Sequence, residues 1–479
     1  VVQFNNDNSE DLIVFFAILW FIAVMDKELW KKIAVIGAAG KMGRGISLIL
    51  LQEMARLEAE ETGSVGTGTY RLTVVDTYGS NVFSLKKFLR PLVTSYAEKN
   101  INSLRNYFSK NSKLISNGEI IEAFVEGSMD ILQPTTELAD CKEARLVFEA
   151  IHEDLSAKTT LYNKLKQITK PETYFFSNTS SIPIHILNEA SDLKGKIIGC
   201  HFYNPPHIQR LVEIIPLKGE ESNLSRMTQE IARQLNKIVV YSNDIAGFIG
   251  NGHFLREVQY ACSRVDALAG QFPSHQAIFL LNRVTQDYLI RPMGIFQLID
   301  YVGIDICKQI LSIMRTYVPD NSLEIDLINK MMKLGKKGGQ NPDGTQKDGF
   351  FHYEGLQPLS VFSLEDQTYL PLETSWLSPL GEMPSSNVPW KTLHKIKDKR
   401  KLLSNYFEQL FHSETWGAKV AIEFLKESKK IADKLVQDRV ATSMEDIKTV
   451  LENGFFHLYG PEDPFKIANS GNTKTEAIK

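Results

Sequence analysis

The segment that most restricts this chain is Ile33-Ala-Val-Ile36, which runs into Gly37-Ala-Ala-Gly40-Lys-Met-Gly43-Arg-Gly45 and an apolar helical pattern at Ile46, Ile49, Leu50 and Met54. A short apolar strand that breaks at glycine and enters a helix opens a βαβ unit. Glycines at such a turn let the backbone approach a pyrophosphate, and the helix N-terminus offers unpaired N–H groups. The spacing is GxxGxxG, one residue longer than GxGxxG, so the turn is a weak signal by itself and also fits an ordinary tight turn. Context strengthens it: the next strand, Leu72-Thr-Val-Val75, ends at Asp76. A carboxylate there accepts from ribose hydroxyls and repels a 2′-phosphate, which favours NAD over NADP, although a strand-end cap is the plainer alternative. The expected cofactor contacts are Gly37, Gly40, Lys41, Met42, Gly43 and Asp76. Glu60 to Thr69 (EETGSVGTGT) reads as an inserted loop that sets Asp76 further along than usual.

Further strands at Leu146-Val-Phe148, Tyr174-Phe-Phe176, Ile197-Ile198 and Leu211 to Ile215 alternate with helical stretches. That alternation predicts a parallel, doubly wound sheet covered on both faces, over 31–242. After Asp244 the strand signals stop. Phe248, Leu255, Val258, Cys262 and Val265 fall at helical spacing, predicting a helical domain over 243–355. Five prolines within 356–390 predict an irregular connector over 356–400, and a second helical unit follows over 401–479. Arg291-Pro-Met-Gly and Tyr459-Gly-Pro-Glu stand at comparable places in the two helical units, which fits either a divergent repeat or two similar turns.

Composition removes several functions. With 54 Lys+Arg against 57 Asp+Glu, the chain has no global positive field for a nucleic-acid backbone. Cys141, Cys200, Cys262 and Cys307 are too scattered for a disulfide framework or a CxxC metal pair, so no metal site and a reducing compartment are expected. Leu12 to Met25 is apolar throughout, but shorter than the roughly 18–20 residues of a spanning helix. The acidic residues before it argue against a signal peptide. A packed apolar helix, a marginal membrane anchor and an upstream extension are the three readings of 1–30. Because the recognisable domains are complete from Lys31, the extension is expected, with no membrane contact and a cytoplasmic protein.

Chemistry concentrates at strand ends. His201 follows Ile197-Ile-Gly-Cys200, and Glu213 interrupts the apolar strand Leu211-Val-Glu-Ile-Ile215. A carboxylate inside such a strand is costly unless paired, and an imidazole partner would make a base able to take a proton from an alcohol. A structural His beside a structural Glu is the plainer account of that pair alone. Ser177-Asn-Thr-Ser180-Ser181 supplies hydroxyl groups at another strand end. Asn251 is the polar member of the apolar stripe after residue 248, as a ligand contact or a satisfied core amide.

The motifs Met42-Gly43-Arg44-Gly45-Ile46, Phe148-Glu-Ala-Ile-His-Glu153 through Lys158, Ser177-Asn-Thr-Ser-Ser181, His201-Phe-Tyr-Asn-Pro205, Leu211-Val-Glu213, Gly247-Phe-Ile-Gly-Asn251 and Pro292-Met-Gly-Ile-Phe296 occur in an order that resembles the L-3-hydroxyacyl-CoA dehydrogenase family. The similarity covers residues 31 to about 353. It implies an α/β chain, a Rossmann-type doubly wound sheet domain followed by all-helical domains, that oxidises (3S)-3-hydroxyacyl-CoA to 3-ketoacyl-CoA with NAD in fatty acid β-oxidation. It also implies that His201 is the catalytic base, Glu213 its partner, and Ser180 and Asn251 the groups that steady substrate and nicotinamide. Glu153, Lys158, Asn204 and Lys337 join Asp76 as implied cofactor contacts. An acyl-CoA is the implied partner. The family's homodimer through the helical domain is implied too, unless the second helical unit takes the place of that surface.

The chain departs from the family in the longer glycine turn, in Gly252 where an Arg is common, and in an insertion around Asn341 to Lys347. Lys86, Lys87 and Lys99 fit either a solvated helix face or a CoA phosphate contact, and Lys99 is kept as a substrate candidate. The rival readings are a related dehydrogenase of a small hydroxy acid or polyol, and a non-catalytic homologue; the full set Ser180, His201, Glu213 and Asn251 argues against the latter.

Overall fold

The structure is a computed structural model that describes residues 27–217, 223–341 and 344–466. The apolar run at 12–25 lies outside the described residues. The chain forms two compact units: 180–183 and the chain from 240 onward make one, and the remaining residues up to 239 make the other.

The first unit is built on an eight-stranded sheet of order β3-β2-β1-β4-β5-β6-β7-β8. The strands are β1 (Lys32–Ile36), β2 (Arg71–Val75), β3 (Leu132–Thr135), β4 (Leu146–Glu149), β5 (Tyr174–Ser177), β6 (Ile197–Phe202), β7 (Leu211–Ile215) and β8 (Ile238–Tyr241). Every residue of β4, β6 and β7 is buried, as expected for strands covered on both faces. Helices α1 (Lys41–Thr62), α2 (Gly79–Lys99) and α3 (Leu155–Ile168) belong to its layers.

The sheet departs from expectation in the added strands β3 and β8 and in the direction of β7. Strand β3 gives no apolar signal, because it is an edge strand with Leu132 buried, Gln133 and Pro134 exposed and Thr135 half-buried; an edge position tolerates its proline. The wholly parallel sheet is corrected too: β7 runs antiparallel to β6. The segment between them, including cis-Pro205, is short enough to reverse the chain without a crossover helix.

The segment expected as an inserted loop is partly helix, since α1 continues to Thr62. The turn beyond it wraps a buried carboxylate. Glu58 accepts from Gly66 N at 2.7 Å and from Thr67 N at 3.2 Å.

The second unit contains α4 (Phe248–Ala267), α5 (Ser274–Arg283), α6 (Ile295–Val302), α7 (Ile304–Tyr317), α8 (Arg400–His412), α9 (Trp416–Gln437) and α10 (Met444–Gly454). Helix α9 lies along α4: Tyr260 meets Phe424 edge-on at 4.9 Å, and a Cβ on Gly252 would stand 3.2 Å from Leu435. Tyr459 donates to the Leu289 carbonyl at 2.6 Å, tying the start of the last turn to the chain just before Arg291.

This unit is not all-helical, and its proline-rich stretch is not wholly irregular. Strands β9 (Phe351–Glu354), β10 (Gln357–Ser363) and β11 (Thr368–Pro371) form an antiparallel sheet of order β11-β10-β9. Two of the five prolines sit where a sheet accepts them, Pro358 at a register shift in β10 and Pro371 at the end of an edge strand. Gln340 and Gln346 form an isolated antiparallel bridge.

Candidate active site

Strand β1 delivers the chain to Gly37, whose φ of +75° suits glycine. The N–H groups of Gly37 and Ala38 both donate to the Val75 carbonyl, at 2.9 and 3.0 Å, tying the turn to the end of β2. The turn is closed so tightly that a Cβ on Gly43 would lie 2.0 Å from the Gly37 oxygen. Gly40 is the N-cap residue of α1, so the first turn of this 22-residue helix is aimed out of the sheet's C-terminal edge. Lys41 is exposed there and Met42 half-buried. Asp76 accepts from Ala39 N at 3.0 Å, from Thr77 N at 2.9 Å and from Asn81 Nδ2 at 3.2 Å. One carboxylate thus fastens the glycine turn to the strand end.

The antiparallel pairing of β6 and β7 sets His201 directly opposite Glu213. His201 Nδ1 lies 3.1 Å from Glu213 Oε1, and the carboxylate is wholly buried while the ring keeps a small exposed face. With Nδ1–H donating to Glu213, the tautomer leaves Nε2 as the ring's acceptor. Tyr203 also donates to Glu213 Oε1, at 2.8 Å. Burial and the adjacent Glu213 charge push its phenol well above the ordinary tyrosine value, so it acts as a donor.

At the end of β4 stands a second buried carboxylate, Glu149, to which the motifs assigned no role. It accepts from Lys158 Nζ at 2.6 Å, Tyr162 OH at 2.9 Å, Ser177 Oγ at 2.7 Å and Ile151 N at 2.8 Å. Glu153 stands 3.5 Å from Lys158 and accepts from Thr179 Oγ1 at 2.6 Å. Burial lowers the basicity of the Lys158 ammonium, but the Glu149 and Glu153 charges outweigh it and hold its pKa above the ordinary lysine value. Lys158 is 1% exposed, so the structure places it beneath the strand ends, joining Glu149 to Glu153. The usable signal for Glu149 is akin to the one for Glu213: a carboxylate in an apolar strand, at its end for Glu149 and inside it for Glu213.

In the second unit, Asn251 on α4 is half-buried and its Nδ2 donates to the Ser180 carbonyl at 2.9 Å. These two predicted residues therefore lie together, although the bond uses the serine backbone. Where the family has Arg beside this Asn, Gly252 admits Leu435, and Arg256 one turn later donates to the Gly252 carbonyl at 2.8 Å. Lys337 is exposed in the loop after residue 335, and Lys86, Lys87 and Lys99 are exposed on α2.

The first unit's residues fit a dinucleotide. The glycine turn leaves no room for a Cβ at Gly43, Asp76 stands at the end of β2, and the Oδ1 of Asn204 is buried without a donor among the described residues. Gly37, Gly40 and Gly43 would border the pyrophosphate, Asp76 the ribose, and Asn204 and Glu153 the distal half.

Two family models match the chain: the 3-hydroxyacyl-CoA dehydrogenase NAD binding domain over residues 80–245 and the 3-hydroxyacyl-CoA dehydrogenase C-terminal domain over 247–348. The first match begins beyond the glycine turn, where the spacing departs from the common pattern. A probable 3-hydroxybutyryl-CoA dehydrogenase of Deinococcus radiodurans is 32% identical over 49% of this chain and 82% of its own length. The mitochondrial hydroxyacyl-coenzyme A dehydrogenase of Mus musculus is 29% identical over 68% of this chain and 93% of its own. The crystal structure of 3-hydroxybutyryl-CoA dehydrogenase from Escherichia coli K12 has the same fold, with a TM-score of 0.58 at 16% identity, covering 93% of this chain and 95% of that one.

Proposed function

Since the chain belongs to the 3-hydroxyacyl-CoA dehydrogenase family and carries its NAD-binding domain, we propose that His201 and Glu213 are the general-base pair of this NAD-dependent oxidoreductase. The reaction is the reversible oxidation of a (3S)-3-hydroxyacyl-CoA to the 3-ketoacyl-CoA. The observation that carries the assignment is the 3.1 Å contact between His201 Nδ1 and the wholly buried Glu213 carboxylate. Bound NAD supplies the acceptor for the C3 hydride. His201 Nε2 takes the hydroxyl proton, and Glu213 stabilises the imidazolium that forms and keeps the ring in its orientation. Asp76 holds the adenosine ribose, and the turn at Gly37 and Gly43 admits the pyrophosphate. The Glu149–Lys158–Glu153 network fixes the strand ends that carry the site. Ser180 and Asn251 keep the substrate-steadying roles that the resemblance assigns them. Lys337 and Lys99, both exposed, remain candidate contacts for the phosphates of cofactor and CoA.

Four free, buried cysteines support a reducing compartment such as the cytoplasm, and among the described residues no helix is long and apolar enough to cross a membrane. A homodimer through the helical unit would compete with α9 for the face of α4 that α9 already covers. Sedimentation as a monomer is therefore expected, and a dimer would place its interface elsewhere.

The test is NADH oxidation with acetoacetyl-CoA as acceptor. His201→Gln is expected to lower kcat by about 10² or more with the fold retained. Near-normal turnover in that variant removes the assignment of the base, and activity confined to free hydroxy acids would move the substrate away from CoA esters.

A further inference from the structure

Two donors converge on one oxygen in the first unit. Glu213 Oε1 stands 3.1 Å from His201 Nδ1 and 2.8 Å from the Tyr203 hydroxyl. Tyr203 is the first residue after β6, and its hydroxyl turns back to the carboxylate that His201 meets from within the strand. Their ring centroids are 5.0 Å apart, tilted by 43°. The carboxylate they share is wholly buried, so its negative charge is answered by nearby donors rather than by bulk water.

We propose that Tyr203 is a positioning residue of the His201–Glu213 pair, whose hydroxyl anchors Glu213 and takes a share of the charge on the oxygen that faces the imidazole. The inference rests on the reading of His201 as the base. A carboxylate oxygen already accepting from a phenol stabilises an imidazolium less than one that serves the imidazole alone. Removing the phenol is therefore expected to strengthen the hold of Glu213 on the imidazolium. The same bond fixes the Glu213 side chain, and through it the plane of the imidazole, so that Nε2 keeps one direction between turnovers. His201 from β6 and Tyr203 from the turn after it are the titratable groups whose bonds to this carboxylate define the effect.

The experiment is the pH dependence of kcat/KM for 3-hydroxyacyl-CoA oxidation by Tyr203→Phe, which removes the hydroxyl and little else. The acid limb is expected to move to higher pH by about one unit, the size of one charge-assisted hydrogen bond redistributed, with the alkaline plateau largely kept. An acid limb that stays in place, or moves to lower pH, overturns the proposal. If Tyr203→Phe does not fold, 3-fluorotyrosine incorporated at position 203 gives the opposite test. As a stronger donor it is expected to move the limb to lower pH, and an unmoved limb is again the overturning result. His201→Gln is assayed in parallel. Activity in that variant would remove the base assignment, whereas its inactivity together with an unmoved Tyr203→Phe limb would remove only the role of Tyr203.

Discussion

Lys158 Nζ lies 2.6 Å from Glu149 Oε1, and the two side chains are 1% and 0% exposed. A sealed ion pair of this kind is costly to break from one side only, because the remaining charge has no water to turn to. Lys158→Met is expected to destabilise the protein by about 3–5 kcal/mol in urea unfolding. The double variant Glu149→Gln with Lys158→Met should recover most of that loss. Equal stability of the single variant and the wild type would show that Tyr162, Ser177 and the Ile151 N–H satisfy Glu149 without the lysine.

Asp76 holds the glycine turn, and one substitution separates that task from the cofactor discrimination proposed for it. Asp76→Asn keeps an oxygen that can accept from Ala39 N but removes the charge that repels a 2′-phosphate. The preference for NADH over NADPH, taken as a ratio of kcat/KM values, is expected to fall by about tenfold or more. An unchanged ratio would assign the carboxylate to the glycine turn alone.

Glu257 on α4 and Arg291 form a bidentate pair at 2.9 and 3.0 Å, each side chain 6% exposed. Burial pushes the Glu257 carboxyl up, but the charges of Arg291 and then His253 outweigh it and bring it down from 4.5 to about 2. A carboxyl depressed by folding adds stability that is complete above its unfolded value and is lost as pH falls from about 4.5 towards 2. The wild type should therefore exceed Glu257→Gln by roughly 3 kcal/mol near neutrality, with the gap closing on acidification. Urea unfolding at about pH 6 and about pH 3.5 measures it; a gap of constant size would mean that the pair is not sensed through ionisation.

Much of the first unit was legible because its signals are local. A glycine turn needs no distant residue to explain why strand gives way to helix, and Asp76 is identified by ending the next apolar run. The same holds for Asn251, which breaks the apolar stripe of α4. Strand β3 was not legible, since an edge strand buries too little to leave an alternating pattern. Strands β10 and β11 were hidden by prolines whose tolerance depends on bulges and edges that only pairing creates.

The pair at the centre of the site shows where the division falls. The sequence determined that a histidine lies near the end of one apolar strand and that a carboxylate sits inside another, where its desolvation demands a partner. Periodicity could not determine that the partner is this histidine, which only the family resemblance implied, because the apolar pattern is identical for parallel and antiparallel neighbours. The reversal of β7 against β6 settled that, by placing His201 and Glu213 at the same level of the ladder. It also brought the Tyr203 hydroxyl to the same oxygen, a contact that no spacing along the chain announces.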